Sequence, residues 1–168
     1  MRGFVLVGGW PGSGKTTLSR ALAAALAVDY LAKDDAKEAL MDALGAPHGV
    51  EESRRLGRAA VAATLRLAQG CRAAVIDSTW YPYTAPLVAA LPGPFVELRC
   101  TVPVEVARRR YRSRLRDPRH LDADRSEAEL WGSPVEPLGV GPLIEVDTAH
   151  HIAIDRLAER VRATLTDE

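Results

Sequence analysis

The sequence has no asparagine and a single glutamine, Gln69. Lysine is almost as scarce: of 22 basic residues only Lys15, Lys33 and Lys37 are lysines, and the rest are arginine. Without asparagine there is no N-glycosylation acceptor. The Asn-Lys-x-Asp element with which GTPases read guanine is also excluded. Only two cysteines occur, Cys71 and Cys100, both in apolar, strand-like surroundings, so no disulfide framework is expected and a reducing cytoplasmic setting fits. No apolar run is long enough for a signal peptide or a membrane span. A net charge of zero excludes a protein that coats nucleic acid by bulk electrostatics, although a local basic patch remains compatible with it.

What is present points to one enzyme-sized unit. A length of 168 residues predicts a single domain spanning residues 1–168. A hydrophobic content of 47% supplies a core, and 26% charged residues is ordinary for a soluble domain. Short apolar runs alternate with longer helical patterns. Phe4 to Val7, Val28 to Ala32, Ala73 to Ile76, Phe95 to Cys100 and Leu143 to Val146 read as strands. Helices are expected from Gly14 to Ala27, Ala36 to Leu44, Glu51 to Gln69, Thr84 to Ala90, Pro103 to Leu115 and Ile152 to Leu165. On the third, Leu56, Ala60, Ala63 and Leu67 form the apolar stripe. Asp117 to Asp124 and Gly132 to Pro142 read as loops, separated by one helical turn at Glu127 to Trp131. This alternation predicts an α/β fold: a mainly parallel, five-stranded sheet with helices on both faces.

Gly9-Trp10-Pro11-Gly12-Ser13-Gly14-Lys15-Thr16 matches G-x-x-x-x-G-K-[ST] at every fixed position, between a buried strand and a periodic helix. Glycines in such a loop turn backbone N–H groups inward around phosphate oxygens, and the helix N-terminus adds its positive end. Nucleotide binding is therefore expected at Gly12, Ser13, Gly14, Lys15, Thr16 and Thr17. Lys15 would reach the β- and γ-phosphates and the Thr16 hydroxyl would ligate Mg²⁺. A second acid ends an apolar strand at Asp77, the usual form of the Mg²⁺-side motif. Ser78 follows it, where large motor ATPases carry a water-activating glutamate. Elimination leaves a small kinase using ATP and Mg²⁺.

The acceptor side is read from Lys33-Asp34-Asp35-Ala36-Lys37-Glu38, with substrate binding expected at Asp35, Lys37, Arg54 and Arg58. Asp35-x-x-Glu38 fits a capping box, with Asp35 as N-cap. That leaves Asp34 free to take the proton of an attacking hydroxyl. Lys37, in the first helical turn, opposes the helix dipole and so invites a functional reason. Arg54, Arg55 and Arg58 cluster on the next helix and suit either an anionic acceptor or a solvated face. Tyr81 and Tyr83 follow Trp80 at the same sheet edge.

Between Arg99 and Arg125 there are nine arginines and four acids, a local excess of +5 in a neutral protein. Guanidinium groups stabilise the charge that develops on a transferred phosphoryl group. An Arg-rich lid at about residues 116–126 is expected, with Arg110 and Arg114 on one face of the preceding helix.

Taken together, GGWPGSGKTT, KDDAKEAL, VIDSTW and the arginine helix running into RDPRHLD resemble small P-loop kinases of the chloramphenicol phosphotransferase, zeta toxin and polynucleotide 5′-kinase group. The resemblance implies that Asp34 is the base, that Lys37 contacts the acceptor and that Arg110 and Arg114 meet ATP and the transferred phosphoryl. Arg119 is a further candidate for that role. It also implies an acceptor hydroxyl on a small molecule or a nucleic-acid 5′ end. A nucleoside monophosphate kinase, with Arg54 and Arg58 holding a phosphate acceptor, is the nearest alternative. A nucleotide-dependent binding module is a third.

Overall fold

The structure, a computed structural model, describes residues 1–133 and 135–166. Pro134, within the expected Gly132–Pro142 loop, and residues 167–168 of the expected domain lie outside the described residues. Five strands form one parallel sheet: β1 (Gly3–Gly9), β2 (Asp29–Ala32), β3 (Ala73–Asp77), β4 (Phe95–Thr101) and β5 (Leu143–Asp147), in the order β2-β3-β1-β4-β5. Among the described residues seven helices accompany them: α1 (Lys15–Leu26), α2 (Lys33–Leu44), α3 (Val50–Ala68), α4 (Ala85–Ala89), α5 (Val104–Ser113), α6 (Glu127–Trp131) and α7 (Ile154–Thr166).

The central strand explains the two layers. β1 is buried at every position, so alternate residues supply both cores. Val5 and Val7 pack with Leu18, Leu22 and Leu26 of α1 and with Leu157, Val161 and Leu165 of α7. Phe4 and Leu6 face Val61, Leu65 and Ala68 of α3, with Trp80, Val88 and Leu91. The α3 stripe is thus rotated from the expected one: Ala60 is buried, whereas Ala63 and Leu67 face solvent, Leu67 at 66% exposure. Ser53 and Thr64 share the buried face through their own hydrogen bonds.

Register brings the functional strand ends level. Asp77 pairs with Val7 on one side and with Ala32 on the other. The phosphate loop begins just beyond Val7, and α2 begins just beyond Ala32, so three functional segments meet at one sheet edge. In open α/β sheets that carboxyl edge is where ligands bind.

Two boundaries differ from expectation, and both matter for the site. Helix α2 starts at Lys33, with Ala32 as N-cap and no side-chain cap. Asp34 and Asp35 therefore both lie inside the first turn, where acids favour the helix dipole. Asp35 does not cap. Helix α5 ends at Ser113, and Arg114 is already extended (φ −75°, ψ 138°). Arg110 and Arg114 consequently do not share a helix face. Arg114 is drawn instead onto the Tyr111 ring, 4.2 Å from its centroid, and onto Asp122. Beyond it, Pro118–His120 and Asp122–Asp124 form two short 3-10 turns where a loop is expected. Pro118 suits the first position of its turn, and Asp117 caps it by accepting from the Arg119 N–H. Among the described residues no helix is long and apolar enough to cross a membrane.

Candidate active site

The phosphate loop owes its path to glycine. Gly12 has φ +78°, and a Cβ there would lie 2.2 Å from the Ala107 carbonyl oxygen of α5, so only glycine lets loop and helix pack. Gly14 is the N-cap of α1 in the left-handed conformation and offers no side-chain cap. The first N–H groups of α1 are left for an external acceptor, as an anion site requires. Lys15 curls over the loop, its Nζ donating to the Gly9 and Trp10 carbonyls at 2.9 and 2.8 Å. Burial pushes its ammonium below the ordinary lysine range. Ser13 is fully buried, and its carbonyl accepts from the Thr148 hydroxyl at 2.7 Å.

Beside the loop, Thr16 Oγ1 donates to Asp77 Oδ2 at 2.6 Å. Tyr30 donates to the same oxygen at 3.3 Å. Asp77 is 6% exposed and has no ion-pair partner within 4 Å among the described residues. Burial raises its carboxyl above the usual range, against the pull of Lys15. A carboxylate and a hydroxyl side by side, with no cation of their own, are hard oxygen donors suited to Mg²⁺. Among the described residues no group of three or more His, Cys, Asp or Glu forms a closed metal cage. Mg²⁺ sites completed by substrate phosphates and water do not need one.

A cavity of about 600 Å³ opens from this point. Lys15, Thr16 and Asp77 form one wall, Asp34 and Lys37 of α2 another. Arg54 and Arg58 of α3, Tyr81, Tyr83, Arg114 and Arg116 complete it. Asp34 accepts from Lys33 at 2.7 Å and is also bonded by Arg116. Burial alone would raise the Asp34 carboxyl. Lys33 and Arg116 outweigh it and hold the group well below the usual carboxylate range. Lys37 is buried at 3% exposure, with its Nζ on Ser53 Oγ at 2.6 Å. Burial, with Lys33, Arg125 and Arg116 nearby, pushes its ammonium down to about 8.

The structure gathers most of the predicted residues and separates the others. Lys15, Thr16, Asp34, Lys37, Arg54, Arg58, Asp77 and Arg114 line this cavity. Asp35 is exposed and outside it, as is Thr17 on α1. Arg55 pairs with Glu52 at the surface. Arg110 lies on the opposite flank of the loop, donating to the Thr148 carbonyl at 3.0 Å beside Gly14. Arg119 turns outward to Asp117 and Asp42. The arginine that touches Asp34 is Arg116, which the sequence marks only as one of nine. It bridges Asp34 to Asp122, while His120 bonds Glu38 of α2 at 2.8 Å. Burial and Arg116 lower the His120 imidazole, which is neutral near pH 7. The signal missed is the early end of α5, which releases residues 114–125 to fold back on α2.

A sequence model of the AAA domain matches residues 5–132. The chain belongs to the AAA domain family. This AAA domain is 32% identical to a candidate kinase from Chloroflexus aurantiacus J-10-fl, over 98% of each chain, with a TM-score of 0.85. Two more distant structures show the same fold. One is the Mycobacterium tuberculosis APS kinase in complex with AMPPNP and APS (20% identity, TM-score 0.62, 98% of each chain). The other is shikimate kinase from Acinetobacter baumannii in complex with shikimate (16% identity, TM-score 0.62, covering 99% of this chain and 94% of that one). No curated protein matches by sequence. Fold, phosphate loop and neighbours together make this AAA domain a small P-loop kinase, a phosphotransferase.

Proposed function

We propose that the enzyme transfers the γ-phosphoryl group of ATP to a hydroxyl, with Asp34 receiving the hydroxyl proton. The observation that carries this reading is the position of Asp34: an ionised carboxylate on the same cavity as Lys15, Thr16 and Asp77. Lys15 and the N–H groups of the phosphate loop hold the β- and γ-phosphates. Thr16 and Asp77 would hold Mg²⁺, which when bound would neutralise charge on the transferring group. The acceptor oxygen attacks the γ-phosphorus as the bond to the ADP oxygen breaks, and its proton passes to Asp34. A weakly basic carboxylate suits this step. The transition state is loose and little charge builds on the nucleophile, so orienting the hydroxyl counts for more than basicity. Arg114 and Arg116 close over the phosphoryl group, with residues 114–125 acting as the lid. Arg110, beside Gly14 and Thr148, serves the nucleotide rather than the acceptor.

The chloramphenicol phosphotransferase, zeta toxin and polynucleotide 5′-kinase resemblance supports a hydroxyl acceptor on a small molecule or a 5′ end. A nucleoside monophosphate kinase is the second reading, and the cationic Arg54 and Arg58 favour it. An ATP-consumption screen over sugars, hydroxy acids, nucleosides, antibiotics, 5′-OH oligonucleotides and nucleoside monophosphates tests both, with Lys15→Ala as blank. Turnover of a hydroxyl compound that falls about 10²-fold or more in Asp34→Asn is expected. Turnover of nucleoside monophosphates alone, unaffected by Asp34→Asn, refutes the proposal.

A further inference from the structure

Helix α2 carries Asp34, Glu38 and Asp42 at i, i+4 and i+8. With about 3.6 residues per turn these acids form one stripe, roughly 6 Å apart along the helix axis. Each of them meets a donor from residues 116–120. Arg116 bonds Asp34, His120 bonds Glu38 at 2.8 Å, and Arg119 bonds Asp42 at 2.8 Å. An ionised carboxylate can only accept, so Nε2 of the neutral His120 carries the proton.

The chain after α5 is shaped to offer these donors together. Pro118–His120 is a 3-10 turn capped by Asp117. Asp117 also grips the Arg119 guanidinium, with Nη2 at 2.6 Å, which leaves Nη1 aimed at Asp42. His120 is 2% exposed and sits between the turn and α2. The stripe therefore admits one alignment. A slide of one turn toward the end of α2 would set Arg116 at Glu38 and carry Arg119 beyond Gly45, where the helix has ended. The Asp42 carboxylate is largely in water, and exposed ion pairs add little stability. What complementary charges do supply is register.

We propose that Glu38 and Asp42 are positioning residues: with Asp34 they form a ladder on α2 that sets the register of the lid and so delivers Arg116 to Asp34. This rests on the reading of residues 114–125 as the lid and not on the identity of the acceptor. The lid is thereby aligned on the helix that carries the proposed base, rather than on the phosphate loop. A closed lid also keeps water from the γ-phosphate. Loss of either contact acts on the transfer step through Arg116 and leaves nucleotide affinity unchanged.

The test uses the full chain saturated with Mg·AMPPNP, in wild type, Glu38→Met, Glu38→Gln and Asp42→Lys. Methionine removes the acceptor from His120, glutamine keeps a carbonyl for it, and lysine reverses the charge that faces Arg119. AMPPNP affinity, measured by calorimetry, is expected to be equal in all four. Its loss in both Glu38→Met and Asp42→Lys overturns the proposal. Trypsin cleavage after Arg116, Arg119 or Arg125, identified by fragment mass, should quicken about tenfold or more in Glu38→Met and Asp42→Lys and stay near wild type in Glu38→Gln. Cleavage unchanged in either Glu38→Met or Asp42→Lys, or raised equally in Glu38→Gln, overturns the ladder. A second arm follows ADP release from Mg·ATP, to water or to an acceptor from the screen, in Glu38→Met, Arg116→Met and the double variant. The effect of Glu38→Met should vanish in the Arg116→Met background. Independent, multiplying effects show that Glu38 does not act through Arg116, and the proposal fails. Where turnover is too slow to follow, the trypsin result decides. None of these outcomes bears on the Asp34→Asn comparison, which tests the hydroxyl-kinase reading by itself.

Discussion

Replacing Lys37 with methionine is expected to flatten the pH dependence of stability of the ligand-free enzyme. In the unfolded chain this lysine holds its proton to about pH 10.5, whereas in the fold it releases it near 8. Between those values the unfolded state binds more protons, so stability rises with pH. Below pH 8 both states are protonated, and the whole cost of burying the ammonium is in force. A fall from 10.5 to about 8, at about 1.4 kcal/mol per tenfold change in proton affinity, gives ~3.5 kcal/mol in full. About 2 kcal/mol of that is recovered between pH 7 and 9.5. Methionine keeps the volume and removes the titration, but leaves the Ser53 hydroxyl buried without its partner, which costs about 1–3 kcal/mol. At pH 7 the two effects nearly cancel, with a net gain for the variant on the order of 1 kcal/mol. The pH slope is the cleaner quantity. Urea unfolding of both proteins at pH 7, 8, 9 and 9.5, at constant salt, measures it. Wild type should gain about 2 kcal/mol relative to Lys37→Met over that range. Parallel curves would show that Lys37 carries no burial cost, and the reasoning about its open charge would fail.

Other consequences are equally direct. Thr16→Val keeps the shape of the side chain but removes the hydroxyl beside Asp77, so the Mg²⁺ concentration for half-maximal activity should rise ~10-fold or more. An unchanged Mg²⁺ titration would take Thr16 off the metal. Gly12→Ala places a Cβ against the Ala107 carbonyl at positive φ and should destabilise by about 2–4 kcal/mol in urea unfolding, with loss of nucleotide binding. Arg116→Met should cut kcat far more than Arg119→Met, because Arg116 meets Asp34 while Arg119 faces Asp42. Steady-state kinetics with an identified acceptor would expose equal effects. His120 is held neutral by burial and Arg116, so the unfolded chain takes up its proton first as pH falls through 6.5. Wild type should therefore lose stability on the acid side of 6.5 relative to His120→Gln, as read by unfolding at pH 5 to 7.

The sequence made the phosphate loop, the strand ends and the alternation of elements legible, because each rests on local chemistry. Glycine at fixed spacing, apolar runs of strand length and an acid at the end of β3 take their meaning from immediate neighbours in the chain. What stayed hidden depends on distant contacts. Asp35-x-x-Glu38 has the form of a capping box, but β2 runs straight into α2 and the extended Ala32 takes the N-cap position. Leu67 fits a helical stripe, yet the orientation of α3 is set by Val61, Leu65 and Ala68 meeting β1 and β3. Arg114 continues a helical spacing on paper. In the fold, Tyr111 and Asp122 draw it off the helix, and Arg116 is carried to the Asp34 carboxylate. No periodicity could select it from nine arginines, since the choice is made by Asp34 and Asp122 together.

The Thr148 hydroxyl, which ties the Ser13 carbonyl to the Thr101 carbonyl, has a consequence for how such an enzyme diverges. It anchors the nucleotide half of the site to β4 and the turn after β5, on the far side of β1 from α2 and α3. The part of the cavity proposed for the acceptor hangs on the other flank, lined by Lys37, Ser53, Arg54 and Arg58. Mutational drift can therefore remake the acceptor surface while the nucleotide clamp keeps its shape. A lineage can change what it phosphorylates without relearning how to hold the donor.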